Sequence, residues 1–288
     1  MTSTAFDAYL HEHGIRMRAL FLAALETRPM PERLRESMAY SLLAGGKCLR
    51  SALCIKSSEL LGGDMVMAER AACAIEMIHA YSLVHDDLPA MDNDDMRRGK
   101  PSNHIVFGEA GAILAGDGLL SLAFEIMANF ANSEVLCAVA KGAFDMVAGQ
   151  SMDIGVSSGE GALHTIHRLK TGALIRASVL AGAYCATPTP EDIYAISNFS
   201  DAFGLLFQIT DDILDVCGNT ETLGKSIGKD DRDGKLTFVT CFGLDESRRY
   251  AAEQAFAAKE AIKVYGVNAA FFLAMVEATL HRGMPKDV

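Results

Sequence analysis

No Cys-x-x-Cys pair occurs among the seven cysteines, at positions 48, 54, 73, 137, 185, 217 and 241. The chain is also far longer than the small scaffolds that need a disulfide framework, so these read as reduced core residues. Basic residues are short as well: 26 Lys and Arg against 37 Asp and Glu leave a net charge of −11. That balance argues against nonspecific binding to nucleic acid or to an anionic membrane, both of which rely on a basic face. Residues 1–30 lack the basic start and unbroken apolar centre of a signal peptide, because Asp7, Glu12, Arg16, Arg18 and Glu26 interrupt them. The longest apolar region, Gly111 to Ala131, contains Asp117 and Glu125 and makes a poor membrane span. A soluble, cytoplasmic protein without membrane insertion is expected.

Linkers are missing too. No Pro/Gly/Ser-rich stretch, low-complexity tract or internal repeat divides the 288 residues, and no convincing alternating strand run appears. What is there is half apolar, enough for a large core. Apolar residues recur at three- and four-residue intervals, which predicts helices at 4–27, 32–44, 48–61, 66–88, 110–131, 134–156, 161–185, 190–217, 246–264 and 268–282. Breaks fall at Pro29 and Pro31, Gly45-Gly46, Gly62-Gly63, Pro188 and Pro190, and the charged segment 218–235. One all-α domain over residues 1–288 is the expectation.

Charge is concentrated in two places. From Glu76 to Arg98 an apolar helical lead-in delivers Asp86 and Asp87 to its C-terminal end, with Asp92 and Arg97-Arg98 following. Buried carboxylates are costly unless something cationic sits with them. Pro89 cannot continue a helix undisturbed, so a kink is predicted between Asp86 and Asp92. The kink is needed: on an ideal helix residues six apart point about 120° from each other. Downstream, Asp211 and Asp215 fall four apart on one helix face, with Asp212 between them. Clustered hard oxygens suit Mg²⁺, which takes one or two carboxylates and lets substrate phosphates complete its shell. Either cluster alone reads equally well as a solvated acidic helix end; two in apolar helices, one beside two arginines, read as opposing walls of a diphosphate–metal site.

Two weaker motifs flank these walls. Gly45-Gly46-Lys47-Cys48-Leu49-Arg50 puts two cations three apart at a new helix, which suits an anion, although a glycine pair is also an ordinary turn. Glu76-x-x-His79 has the form of a di-iron bundle ligand pair, but no second Glu-x-x-His accompanies it. His79 is then either a group beside the diphosphate site, seven residues before Asp86, or a core histidine.

Written as DDLPAMD (86–92) and DDILD (211–215), and in this order, the two acid clusters resemble those of the trans-prenyltransferases, the isoprenyl diphosphate synthases. The resemblance runs from about Ser41 to Lys235, and the four-residue spacing of the first motif is similar to that of the short-chain bacterial branch, with the farnesyl diphosphate synthases nearest. It implies an all-α prenyl synthase bundle around a central cavity, usually a homodimer. The implied activity is Mg²⁺-dependent condensation of dimethylallyl or geranyl diphosphate with isopentenyl diphosphate, ending at farnesyl diphosphate. Three Mg²⁺ ions, held by Asp86, Asp92 and Asp211, would be shared with the substrate diphosphate. Asp87, Asp212 and Asp215 would support the metal ligands from behind or act through water. By the same resemblance Lys47, Arg50, His79 and Arg98 hold isopentenyl diphosphate, and Arg97, Lys170 and Lys225 hold the allylic diphosphate. Thr171 and Gln208 would turn oxygens towards charge developing on the allyl carbon, and Lys235 belongs to a closing loop. The released diphosphate takes the final proton, so no dedicated base is required.

Departures from the family pattern are Cys48 where Arg is usual, Ser51 where Pro is usual, and Leu236 and Val239 after Lys235. Tyr81, five residues before Asp86, resembles the aromatic floor of the bacterial farnesyl enzymes; the bland reading is a core tyrosine. The alternatives are a geranylgeranyl diphosphate synthase, a class I terpene cyclase, for which Lys47, Arg50 and Arg98 would be superfluous, and a catalytically silent partner-binding relative.

Overall fold

A computed structural model describes residues 1–155, 160–217 and 236–282. Its helices are α1 (Ser3–Glu26), α2 (Glu32–Leu42), α3 (Leu49–Leu60), α4 (Met65–Asp86), α5 (Asn103–Phe107), α6 (Glu109–Phe130) and α7 (Ser133–Ile154). They continue as α8 (Glu160–His167), α9 (Ala173–Tyr184), α10 (Pro190–Cys217), α11 (Phe238–Phe242), α12 (Leu244–Ile262) and α13 (Ala270–Arg282). Every helix predicted from periodicity is found, with ends shifted by no more than two residues. The predicted helix 161–185 is interrupted by a π-helical segment, Arg168–Gly172.

The start and stop signals are local. Asp64 caps α4, its carboxylate accepting from Val66 N at 2.8 Å and Met67 N at 3.1 Å. Pro190 opens α10, a position where its missing N–H costs nothing. Short elements escaped the periodicity. Strands β1 (Met96–Arg97) and β2 (Lys100–Pro101) form an antiparallel hairpin. Its two turn residues, Arg98 and Gly99, have φ of 53° and 74°, the left-handed pair that twists two-residue hairpins the right way. Two residues per strand are too few to show alternation.

Packing makes two apolar clusters that share their central helices. α3 gives Cys54 and Ile55 to one cluster and Ala52 and Leu53 to the other; α9 splits Leu174, Ala177 and Ala181 from Ile175, Val179 and Ala183 in the same way. Helices apolar all round belong in the middle of a bundle. The two backbones nearly touch there, since a Cβ on Gly182 would lie 1.9 Å from Cys54 O. α6 is long and apolar enough to cross a membrane by length and composition. Its Ala115, Leu119, Ala123 and Met127 are instead buried in the first cluster, against α4.

Candidate active site

The first acid wall starts where α4 runs out. Pro89 has no N–H to give, and the chain folds back: Leu88 O accepts from Met91 N at 2.9 Å and Asn93 N at 3.1 Å, and Asp92 N donates to Asp86 O at 2.8 Å. Asn93 completes the return at φ 49°, a conformation Asn tolerates better than most residues. The predicted kink therefore brings Asp92 back beside Asp86. Burial, chiefly, raises the Asp86 carboxyl to about 6; Lys170 pulls it down and Asp92 pushes it further up.

Asp87 faces the other way. It is buried and receives Arg97, Nε to Oδ1 at 2.9 Å with Nη2 on the same oxygen. Asp94 Oδ2 lies 3.5 Å from the same guanidinium. Arg97 is thus clamped against the wall before any substrate arrives.

Opposite, α10 carries the second wall. Asp211 Oδ1 lies 3.3 Å from Arg282 Nη2. Asp212 turns inwards, accepting from Gln208 Nε2 at 2.9 Å and from Phe238 N at 2.8 Å, so it ties α10 to the start of α11. Thr171 Oγ1 donates to Gln208 Oε1 at 2.6 Å, which fixes the orientation of that amide. Asp215 is buried.

Lys170 reaches the cleft from the π-helical segment, and Asp153 holds its Nζ at 2.6 Å. A Cβ on residue 149 would stand 2.2 Å from Lys170 N, so Gly149 is what lets α7 approach this segment. Irregular turns of this kind recur at functional sites. A cleft of about 490 Å³ is lined by Arg50, His79, Tyr81, Asp86, Lys170 and Thr171, with Met146, Val147 and Ile154 along its apolar side. Tyr81 is buried and meets His85 edge-on, ring centres 5.3 Å apart.

Beside the C-terminal half of α4, in a pocket lined by Glu76 and His79, the Arg98 guanidinium donates to Gly45 O and covers Gly46. Burial, aided by the charges of Arg50, Arg98 and Arg97, pulls the His79 imidazole well below its usual range, so it is neutral. Lys47 is not where the spacing put it. Cys48 adopts φ 47° as the cap of α3, which begins at Leu49; Lys47 therefore precedes the helix, is exposed, and does not share a face with Arg50. Lys225 and Lys235 lie outside the described residues. Two residues that the spacing did not rank, Asp153 and Arg282, each touch an expected site residue, Lys170 and Asp211 respectively.

The donor set fits Mg²⁺ shared with a diphosphate. Among the described residues no three His, Cys, Asp or Glu side chains converge enough to hold an ion alone. Paired carboxylates on one wall and a single one opposite leave coordination positions for phosphate oxygens.

Residues 31–271 match the family model described as polyprenyl synthetase, and the chain belongs to that family. It is 48% identical over 241 residues to a heterodimeric geranylgeranyl pyrophosphate synthase large subunit of Arabidopsis thaliana, covering 77% of this chain and 64% of that protein. A geranylgeranyl diphosphate synthase of Cyanophora paradoxa is 44% identical over 269 residues, 88% of this chain and 89% of that one. The fold matches a crystal structure of a geranyltransferase from Legionella pneumophila with a TM-score of 0.85 and 31% identity, over 97% of this chain and 98% of that chain.

Proposed function

We propose that residues 1–288 work as one Mg²⁺-dependent prenyltransferase unit. It would condense an allylic diphosphate with isopentenyl diphosphate and stop at geranylgeranyl diphosphate. The carrying observation is the cleft itself: Asp86, Lys170 and Thr171 line it together with the apolar Met146, Val147 and Ile154, so it offers partners to both a charged head and a hydrocarbon tail. Bound Mg²⁺ would draw charge from the departing diphosphate and ease its loss. Lys170 and Arg97 would add fixed positive charge to the same end, and the hydrogen-bonded oxygens of Thr171 and Gln208 would stabilise charge on the carbon left behind. Arg50, Arg98 and neutral His79 suit a second diphosphate, and their presence favours elongation over cyclisation.

The twenty-carbon product replaces the farnesyl expectation. Relatives named as geranylgeranyl synthases align over 77% and 88% of the chain, which outweighs a single aromatic residue at position 81. A homodimer is consistent with Phe144, which α7 leaves exposed outside the cleft; light scattering of the full chain tests it.

Incubation with geranyl diphosphate, labelled isopentenyl diphosphate and Mg²⁺, followed by product sizing, decides the rest. Twenty carbons supports the proposal, fifteen restores the farnesyl reading, and no elongation removes both. Asp86→Ala and Asp211→Ala should each lower turnover at least about 10²-fold with helical content unchanged; near-normal activity in either would refute the two-wall arrangement.

A further inference from the structure

Glu76 has no part in the chemistry above, yet it is a buried carboxylate at the isopentenyl end of the site, 8% exposed, and unlike Asp87 it is not hydrogen-bonded to Arg97. It stands on α4 three residues before His79, and its Oε1 accepts from Ser51 N at 2.9 Å. That amide belongs to the first turn of α3, whose cap residue Cys48 makes no side-chain hydrogen bond to it. A carboxylate from a neighbouring helix thus satisfies an amide that the local sequence leaves open. Ser51 is gripped on its other side as well: Oγ donates to Cys48 O at 2.8 Å and lies 2.8 Å from His13 Nε2.

The peptide bond that Glu76 holds is the one joining Arg50 to Ser51. Arg50 Nε is buried and has no hydrogen-bond partner in the structure. Arg98 and Glu76 line one further pocket together with His79, Asp87 and Arg97, while Arg50 and His79 both line the cleft that carries Asp86. Two guanidinium groups gathered around a neutral imidazole repel each other and lose hydration, a costly arrangement unless a negative charge accompanies them. Glu76 is that charge: after desolvation it is the largest influence on both Arg50 and Arg98, and it favours their charged forms.

We infer that Glu76 is the resident counter-ion of the second diphosphate pocket, holding Arg50 and Arg98 in place until an incoming diphosphate replaces it as their partner. It is a positioning residue, and the inference rests on the assignment of that pocket to isopentenyl diphosphate. A resident anion keeps the empty protein together and weakens the ligand that competes with it.

The test is calorimetric titration of the full chain with isopentenyl diphosphate, together with thermal unfolding. Glu76→Gln keeps an acceptor for Ser51 N and removes only the charge. It should lower the Tm of the ligand-free protein, tighten isopentenyl diphosphate about three- to tenfold, and enlarge the ligand-induced rise in Tm. Adding Arg98→Gln to Glu76→Gln should restore the ligand-free Tm, because it removes the unbalanced cation. A residue that merely capped α3 would show neither tightening nor rescue, and that result overturns the inference. The double variant also serves if the single one does not fold. Arg50→Met separates the two levels: if it leaves isopentenyl diphosphate binding intact, the pocket assignment itself fails, whereas weaker binding in Arg50→Met beside unchanged binding in Glu76→Gln discards the counter-ion alone.

Discussion

Arg282 Nη2, at the C-terminal end of α13, lies 3.3 Å from Asp211 Oδ1 on α10, and the same guanidinium sits 5.6 Å from the centre of the Phe207 ring. Phe207 and Asp211 are one turn apart, so a single side chain from the last described helix grips both. Both partners are about one third exposed, so the pair adds little to stability. Its effect falls on the site. The Mg²⁺ proposed to bind at Asp211 would have to displace or repel a cation already there. Arg282→Gln should therefore tighten Mn²⁺, used as a paramagnetic substitute and titrated by electron spin resonance without substrate, by about threefold. Asp211→Asn should remove that binding. Unchanged Mn²⁺ affinity in Arg282→Gln would exclude the competition.

Asp153 is expected to act through Lys170. With Nζ and Oδ2 only 2.6 Å apart, the carboxylate decides where the ammonium points. Asp153→Asn keeps the shape and weakens the grip, and should cost about tenfold in kcat with a smaller change in the KM for the allylic substrate. A rise in KM alone would make Asp153 a binding residue instead.

His13 gives a pH signature away from the metal walls. Burial, chiefly, with Arg16 assisting, lowers its imidazole to about 4 from an ordinary 6.5. The unfolded chain takes up a proton first as pH falls, so stability declines from pH 6.5 down to about 4 and levels off below, by about 3 kcal/mol at most. Asp86 acts with the opposite sign: its raised carboxyl costs stability as pH rises from 3.8 to about 6. Urea unfolding of wild type and His13→Gln across pH 4–7 isolates the first effect as their difference. A difference that does not vary with pH would show that His13 stays exposed to protons in the folded state.

Tyr81 lines the cleft that carries Asp86, although an ideal helix would point the two about 140° apart. The ring borders the cleft proposed above to take the tail. Tyr81→Ala should lengthen the product beyond the proposed twenty carbons, read by chromatography of the dephosphorylated prenols. Unchanged length in an active, folded variant would remove Tyr81 as a determinant of chain length.

What the sequence made legible follows from the range of the interactions. The helices were readable because periodicity and caps act within a few residues, as at Asp64 and Pro190. The acid walls were readable because chemistry had gathered unlike residues into apolar helices. Lys47 went astray because the left-handed turn at Cys48 depends on where the next helix packs, which three residues of spacing do not record. The clamp of Asp87 on Arg97 needed a hairpin too short to have a period. Asp153 with Lys170, and Arg282 with Asp211, join positions 17 and 71 residues apart, and only the assembled bundle brings them together.

The hydrogen bond from Asp92 N to Asp86 O closes the first wall into a loop of main chain whose two ends are the residues that carry the carboxylates. Since both partners are backbone groups, the side chains of Leu88, Ala90 and Met91 are free to change without opening it. The number of residues is not. One residue more or fewer would make the seam close elsewhere and carry the two carboxylates apart, so the wall tolerates a change of side chain within the loop but not a change of its length.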